Sequence, residues 1–338
     1  MLAGQLDFAA AIVASAAALA SVLIYALRPV LIRYLLAHPN ERSSHTHATP
    51  QGAGVGVISA LLIICAAVWL LWRVPPGAMA LLPVLVAAFG LMVLGLADDA
   101  HALPVSWRFV GQTLAAFVTV LSLPKDLQLF PGFLPFVVER ALFALGAVWF
   151  VNAVNFLDGL DWITAAQVVP MTLGVVVLQT IGAVPKSVGF LALVLLGATL
   201  GFAPFNKHPA KVFLGDAGSL PIGLLLAFML IHVAGTSSVA ALLLALYTMC
   251  DSTITLFRRA FNREQIFSAH RSHFYQRAVI AGMTPPQVTA RVFVLGLMLT
   301  SLAVMAVVLN STIADVVLLG LGAAATGYVL HLFSRGGK

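Results

Sequence analysis

The residues from Asn152 to Trp162, with the sequence NAVNFLDGLDW, combine amide and carboxylate side chains directly after an apolar run. Asn155, Asp158 and Asp161 follow one another at intervals of three, so a continuing helix would place them on one face. Polar groups at a membrane boundary are costly unless a partner or ligand satisfies them. The pattern indicates a site for a metal ion, a ribose or a nucleobase edge, although a polar helix end would show the same residues.

Two adjacent carboxylates, Asp98 and Asp99, follow another apolar run. A helix C-terminus disfavours anions by about 0.3–1 kcal/mol, so a plain solvated helix end explains them less well than a site for a cation. Mg²⁺ is a hard ion that proteins bind through a few carboxylates together with phosphate oxygens. Arg108, nine residues after Asp99, could then contact a phosphate.

The stretch that contains VFLGDAGS opens a further apolar run and supports two interpretations. Asp216 could simply cap the helix that follows. An Asp in a glycine-rich turn, with Lys207 and Lys211 upstream, could instead hold a metal ion together with an anion. In the second case Phe213 would offer its ring to a base.

Two loops are rich in basic and histidine residues. The loop 258–277 contains His270, Arg271 and His273, which could bind a metal or clamp a phosphate, and the neighbouring arginines favour an anion. An earlier loop, RSSHTHATPQGAGVG, contains His45 beside a glycine-rich turn. It is consistent with a substrate lid or with a flexible connector.

The elements that would position these groups are membrane-spanning helices. Of 338 residues, 61% are hydrophobic and 9% are charged, with a mean hydropathy of +1.03, which argues against a water-soluble domain. About 20 helical residues cross roughly 30 Å of hydrocarbon, and about eleven apolar runs of that order are present. We expect an all-α integral membrane protein, a polytopic bundle of about eleven transmembrane helices forming one domain over residues 1–338.

The predicted spans are 8–28, 53–72, 78–97, 109–123, 140–157, 164–182, 187–203, 219–235, 237–257, 290–309 and 312–333. The first has no basic segment before it and no cleavage pattern after it, so we expect a retained span rather than a signal peptide. Cys65 and Cys250 lie far apart in apolar runs and are expected to be core residues, not metal ligands or disulfide partners.

Basic residues set the expected orientation. An odd number of spans places the termini on opposite sides, and 14 of the 18 Lys and Arg residues fall on one side. Because positive loops face the cytoplasm, the N-terminus should lie outside and the C-terminus inside. The polar clusters then share the cytoplasmic face, in loops at about 37–56, 98–108, 152–163, 204–219 and 258–289. The net charge of +6 is scattered through loops, which favours lipid headgroups over nucleic acid as its partner.

Taken in order, the clusters resemble the polyprenyl-phosphate N-acetylhexosamine-1-phosphate transferase superfamily, of the bacterial glycosyltransferase 4 type and its O-antigen-initiating branch. ADDA at 97–100 resembles the paired-Asp motif, NAVNFLDGLDW the N-x-x-N-x-x-D-G-x-D motif, and VFLGDAGS at 212–219 the F-x-G-D-x-G-S motif. AHRSHFYQ at 269–276 is similar to the histidine loop, and PNERSSHTHATPQGAG at 39–54 to the first loop motif.

The resemblance implies transfer of a sugar 1-phosphate from a UDP-N-acetylhexosamine to undecaprenyl phosphate, with release of UMP, at the bacterial inner membrane. It implies that Asp98, Asp99 and Asp216 are catalytic and that Asp99 and Asp216 hold Mg²⁺, with Mn²⁺ as an alternative ion. Asp98 is the family's disputed candidate for activating the lipid phosphate. The residues expected at the substrates are Asn152, Asn155, Asp158, Asp161, Phe213, Arg108, His45, His270, Arg271 and His273. Homodimers are common in the family, so we include a homodimer among the expectations.

Several positions depart from the family's pattern. Ala37 replaces an expected Asp, Gln51 begins a segment where Arg-Gly-Gly-Gly is expected, Arg108 stands for a common Lys, and Trp162 replaces a second Gly.

A transporter of an anionic phosphorylated solute is the alternative function, but it would need polar groups near the bilayer midplane and on both faces. A purely structural membrane protein would leave the carboxylates unexplained.

Overall fold

The computed structural model describes residues 2–37, 48–71, 78–265 and 270–335. Within these ranges the chain forms twelve α-helices, one short 3-10 helix (Ala78–Leu81) and one two-stranded antiparallel sheet. The helices are α1 (Leu2–Tyr34), α2 (Gly54–Leu71), α3 (Leu82–His101), α4 (Val105–Leu121), α5 (Phe136–Phe156), α6 (Ile163–Thr180), α7 (Lys186–Phe202), α8 (Asp216–Ala234), α9 (Ser238–Phe261), α10 (Phe274–Ile280), α11 (Pro285–Leu309) and α12 (Thr312–Arg335). The strands are β1 (Leu36–Ala37) and β2 (Thr49–Pro50).

The predicted all-α polytopic membrane fold is confirmed. Among the described residues, nine helices are long and apolar enough to cross a membrane, and α4 and α7 are shorter apolar helices of 17 residues each. At 1.5 Å per residue these two rise about 26 Å, slightly less than a typical hydrocarbon core. Each of the eleven predicted spans coincides with one of these helices, whereas α10, with only seven residues, was not predicted.

Helix α8 is the centre of the bundle. Sixteen of its 19 residues are buried, and it packs against α2, α3, α5 and α9. A helix that is apolar on all sides belongs in the interior, and the sequence LPIGLLLAFMLI meets that condition. Helices α11 and α12 instead keep many apolar side chains exposed, as lipid-facing helices do.

Glycines allow α3 and α5 to approach α8 closely. A Cβ at Gly95 of α3 would run into the backbone of Asp216, at the first residue of α8. A Cβ at Gly223 of α8 would come within 2.8 Å of the Cα of Val151 on α5. Small residues at such crossings let helix backbones pack tightly in a membrane. The end of α3, the end of α5 and the beginning of α8 therefore meet at one end of the bundle.

The small sheet ties the first loop motif to the same end. β1 and β2 pair antiparallel just after α1, with Ala37 opposite Thr49. The backbone amide of Phe213 donates to the carbonyl of Pro50 at 2.8 Å, and that of Ala53 donates to the carbonyl of Phe213 at 3.0 Å. The segment before α8 is thus hydrogen-bonded through its backbone to the end of β2 and to the residues that follow it. His45 falls outside the described residues, so its predicted role stays a prediction.

Candidate active site

Asp99 connects the end of α3 to the beginning of α8. Its two carboxylate oxygens accept hydrogen bonds from the backbone amides of Asp216 at 3.0 Å and Ala217 at 3.1 Å. These amides belong to the first turn of α8, which has no intrahelical acceptors for them and carries the positive end of the helix dipole. Gly215 (φ 74°) has no room for a side chain, because a Cβ there would lie against this carboxylate. Asp99 therefore caps α8 from a neighbouring helix.

Arg108 bridges the carboxylates of Asp98 and Asp216. Its Nη1 lies 3.0 Å from Oδ2 of Asp98 and 3.7 Å from Oδ2 of Asp216. The other oxygen of Asp98 accepts the amide of Leu103 at 2.6 Å. Asp99 adds a third carboxylate to this end of the bundle through its hydrogen bonds to the amides of Asp216 and Ala217. The alternative interpretation, in which Asp216 acts only as the cap of its own helix, does not describe this geometry, since Asp99 provides the cap.

Asn155 brings the α5 motif into the same cluster. Its Nδ2 donates to Oδ1 of Asp216 at 2.7 Å and to Oγ of Ser219 at 2.9 Å. Asn152, one turn earlier, donates instead to Oε1 of Gln112 on α4 at 2.6 Å. Asn155 is thus placed beside the carboxylates, whereas Asn152 ties α5 to α4, and its contact with substrate stays a prediction.

Asp158 is half-buried in the turn between α5 and α6. The hydroxyl of Thr164, on the first turn of α6, donates to its Oδ1. Burial raises the pKa of Asp158 to about 7, the negative charge of Asp99 adds to the increase, and the Thr164 hydrogen bond opposes it. Asp158 therefore lies within electrostatic reach of Asp99, and near neutral pH both of its protonation states are populated.

Asp161 and Trp162 hold the turn before α8. Oδ2 of Asp161 lies 2.6 Å from Nδ1 of His208 and accepts the amide of Ala210 at 3.1 Å. Trp162 adopts the left-handed conformation (φ 66°) at the position where the family pattern has Gly. Its backbone amide donates to Oδ1 of Asn206 at 2.7 Å, which helps offset a cost of about 1–2 kcal/mol for this conformation. The structure gives Asp161 a loop partner, and its contact with substrate stays a prediction.

The histidine loop lies beside the end of α5. The ring of His273 stacks on that of Phe156, with centroids 5.8 Å apart, and lies 4.9 Å from the ring of His270. The hydroxyl of Tyr275 donates to the carbonyl of Phe156 at 3.1 Å. Burial and the nearby positive groups lower the pKa of His270 to about 4, so it is neutral at physiological pH. Arg271 is half-buried between the two histidines in sequence.

Some residues of the site were not predicted. Gln51, which stands where an Arg was expected, donates from Nε2 to the backbone carbonyl of Asp99 at 3.0 Å. Three further residues bond the motif residues: Thr164 bonds Asp158, Gln112 bonds Asn152, and His208 bonds Asp161. They belong to no recognisable sequence motif, so the sequence alone did not indicate them. Asp251 is an acid inside an otherwise apolar run, and this position is the signal in the sequence that could have identified it.

Comparison with known proteins identifies a family and relatives. The family model described as glycosyl transferase family 4 matches residues 81–234. A probable undecaprenyl-phosphate N-acetylglucosaminyl 1-phosphate transferase of Bacillus subtilis is 27% identical over an alignment of 293 residues, and the match covers 81% of this chain and 76% of that protein.

Two further relatives carry names of the same kind of transferase. A decaprenyl-phosphate N-acetylglucosaminephosphotransferase of Mycobacterium tuberculosis is 32% identical over 284 residues, covering 73% of this chain and 69% of that protein. A phospho-N-acetylmuramoyl-pentapeptide-transferase of Wolbachia is 47% identical over a shorter stretch of 74 residues, 21% of this chain and 22% of that protein. The resemblance of the motifs is thereby confirmed, and the chain belongs to the polyprenyl-phosphate N-acetylhexosamine-1-phosphate transferase superfamily, a group of multi-pass membrane transferases.

Proposed function

We propose that this protein transfers N-acetylhexosamine 1-phosphate from a UDP-linked sugar to undecaprenyl phosphate and releases UMP. The observation that carries the proposal is the meeting of three carboxylates: Arg108 bridges Asp98 and Asp216, Asp99 bonds the backbone of Asp216, and Asn155 bonds the Asp216 side chain. The product would be the first lipid-linked intermediate of an O-antigen or another cell-envelope polysaccharide. The relatives named for N-acetylglucosamine make that sugar the first to test.

The carboxylate cluster fits a divalent cation. Three carboxylates lie at the meeting of α3 and α8, two of them against the guanidinium of Arg108, and oxygen donors are those that Mg²⁺ prefers. In the described part of the chain, no three His, Cys, Asp or Glu side chains form a ready-made metal site. An ion held by Asp99 and Asp216 would therefore complete its shell with water and phosphate oxygens, as Mg²⁺ usually does. When bound, Mg²⁺ (or Mn²⁺) would offset the repulsion between two approaching phosphates.

The other residues of the cluster would position the two substrates. Arg108, one-third exposed, could exchange its carboxylate contacts for a phosphate, which a guanidinium binds with two parallel hydrogen bonds. Asp98, whose side chain is 10% exposed, would then be released beside the lipid phosphate that it is proposed to activate. A phosphate would have to bind Arg108 before Asp98 is released, because the phosphate and Asp98 compete for the same guanidinium.

The nucleotide would lie over the turn between α5 and α6. Asn155 and Asp158 would form hydrogen bonds with the uridine. Half-buried Phe213 would stack its ring on the base. His270, Arg271 and His273 would contact the diphosphate or the sugar from the opposite side of the turn. We place this site on the cytoplasmic face of a bacterial inner membrane and retain a homodimer as part of the proposal.

A UMP-release assay tests the proposed function. Protein in lipid nanodiscs would be incubated with undecaprenyl phosphate, Mg²⁺ and each of a panel of UDP-N-acetylhexosamines, with EDTA as the metal-free control. We expect Mg²⁺-dependent UMP release with at least one sugar. Asp99→Asn and Asp216→Asn should each lower kcat by about a hundredfold or more, as expected for groups that stabilise transition-state charge. Asp126→Asn, an exposed acid at the opposite end, is the matched control.

Two results would contradict the proposal. Full turnover by the double variant Asp99→Asn/Asp216→Asn would refute the metal assignment while leaving the reaction intact. Solute flux into liposomes without UMP release would instead favour a transporter.

A further inference from the structure

Asp251 is a buried carboxylate of α9 to which the proposed reaction gives no role. It has no solvent exposure, and it lies inside a helix that is long and apolar enough to cross the membrane. An ionised carboxylate in such a place is costly unless several donors surround it.

Most of the donors come from the beginning of α10. Oδ1 of Asp251 accepts the backbone amide of Phe274 at 2.9 Å and lies 3.3 Å from Nδ1 of His273. Oδ2 accepts the backbone amide of Tyr275 at 3.2 Å and the hydroxyl of Tyr247 at 3.2 Å. One carboxylate thus fixes both the first turn of α10 and the imidazole of His273.

The remaining sides of the His273 ring are also occupied. The rings of Phe156 and Tyr275 lie roughly parallel to it, at 5.8 and 6.0 Å between centroids, and the ring of His270 lies at 4.9 Å. Only 3% of His273 is exposed. A ring held in this way has one orientation, and because Nδ1 faces Asp251, Nε2 is the nitrogen left for a ligand.

We propose that Asp251 is a positioning residue for the nucleotide-sugar site, acting through His273. Its carboxylate would accept the Nδ1–H of His273 and fix the ring so that Nε2 faces the nucleotide sugar. A carboxylate that bonds one imidazole nitrogen fixes the tautomer and orientation of the ring in the same way in metal sites and in hydrolytic triads. The proposal deepens the proposed function and rests on it for the identity of the ligand.

A purely structural role for Asp251, as the cap of α10, would predict a different result. In that case, its substitution would lower the amount of folded protein or its thermal stability, and all kinetic constants would change together or not at all. A positioning role instead predicts a selective loss of affinity for the nucleotide sugar that depends on His273. A double-mutant cycle separates the two.

The cycle uses Asp251→Asn, His273→Asn and the double variant in the UMP-release assay. His273→Asn keeps an N–H that can reach Asp251 but removes Nε2, so it should fold and raise KM for the UDP-sugar by about tenfold or more. Asp251→Asn should raise the same KM by a similar factor, and the double variant should be no worse than His273→Asn alone. KM for undecaprenyl phosphate should stay within about twofold of wild type.

Tyr247→Phe is the matched control, because it removes one donor to Asp251 and leaves His273 bonded. It should retain the wild-type KM for the UDP-sugar. Effects of Asp251→Asn and His273→Asn that multiply in the double variant would overturn the proposal, as would an unchanged KM in folded Asp251→Asn.

A measurement that needs no turnover keeps the two proposals distinguishable. In protein labelled with ¹⁵N-histidine, the signal of His273, assigned by its absence from His273→Asn, should show a protonated Nδ1. An unprotonated Nδ1 in wild-type protein would overturn the positioning role even if Asp251→Asn failed to fold. Absence of UMP release by the wild type with every UDP-sugar would refute the transferase proposal and leave the Asp251 contact to be decided by this signal.

Discussion

The pKa of the Asp158 carboxyl is set by burial, by the hydroxyl of Thr164 and by the charge of Asp99. Thr164 favours its ionised form, while burial and the charge of Asp99 favour the protonated form and raise its pKa to about 7. Because this pKa is higher in the folded protein than the unfolded value of about 3.9, the associated stability is present at acid pH and declines as the pH rises through about 7. Ligand binding has the opposite dependence if the ionised form accepts hydrogen bonds from the nucleotide.

We predict that UMP affinity in the absence of divalent ions increases as the pH rises through about 7. Thr164→Val removes the hydrogen bond that lowers the pKa of Asp158, so the midpoint should move to higher pH. Asp158→Asn should abolish the dependence. Isothermal titration calorimetry from about pH 5.5 to 8.5 measures all three.

Thr172→Val is the control for the same helix, since the hydroxyl of Thr172 bonds only backbone carbonyls of α6 among the contacts described. It should leave the midpoint where it is in the wild type. A midpoint that stays unchanged in Thr164→Val would show that Asp158 does not control nucleotide affinity.

The crossing of α3 and α8 places Asp98 and Asp99 beside Asp216. We predict that Gly95→Ala separates these helices, because the added Cβ would meet the backbone of Asp216, which cannot move without moving the carboxylate. The kcat of UMP release should fall by about tenfold or more, in line with the sensitivity of catalysis to small displacements.

Gly90→Ala on the same helix is the matched control, because its Cβ would have nothing within 4 Å. It should keep wild-type activity and gain up to about 1 kcal/mol from helix propensity. Equal activity in the two variants would show that the contact at Gly95 does not set the catalytic geometry.

The elements also show which parts of the fold the sequence could predict. Eleven helices followed from apolar runs because in a membrane length and hydropathy nearly determine a helix. Helix α10 did not, since it has only seven residues and its first amides bond Asp251, which is 23 residues away from Phe274 in sequence. The left-handed turn at Trp162 likewise depends on Asn206, a contact that no local pattern reveals.

The candidate site divides in the same way. The motifs predicted that Asp98, Asp99, Asn155 and Asp216 would share one end of the bundle, and the structure brings them together. The partners of Asp161 could not be predicted, because the pair with His208 joins residues 47 positions apart. Motifs record which residues are present, whereas pairing is decided by packing.

The two ends of the bundle differ in what their charged side chains bind. At the end opposite the active site, buried Arg140 donates from Nη2 to the carbonyls of Pro124 at 2.5 Å and Leu127 at 3.1 Å. Buried Glu139 accepts the amides of Leu129 at 2.6 Å and Phe130 at 3.0 Å. These charged groups hold the loop between α4 and α5 through its backbone.

We predict that Arg140→Met lowers thermal stability without changing kcat per folded molecule. Each hydrogen bond to a charged group contributes about 1.5–3 kcal/mol, and the two carbonyls would lose their donor. Asp98→Asn should do the reverse, lowering kcat with little change in Tm. Thermal unfolding in detergent measures Tm, and the UMP-release assay measures kcat. A loss of kcat in folded Arg140→Met would contradict this division of roles.

The expected orientation of the molecule in the membrane can be tested at the two ends of the bundle. Lys211 lies in the turn before α8 beside the active site, and Lys125 lies in the loop between α4 and α5; both are exposed. Because positive loops face the cytoplasm, Lys211→Cys should react with a membrane-impermeant maleimide only after permeabilisation, whereas Lys125→Cys should react in intact cells. Replacing Cys65 and Cys250 by Ala provides the background, since Cys250 is only partly buried. The reverse labelling pattern would place the carboxylates on the outer face, away from the cytoplasmic pool of nucleotide sugars that the proposed reaction requires.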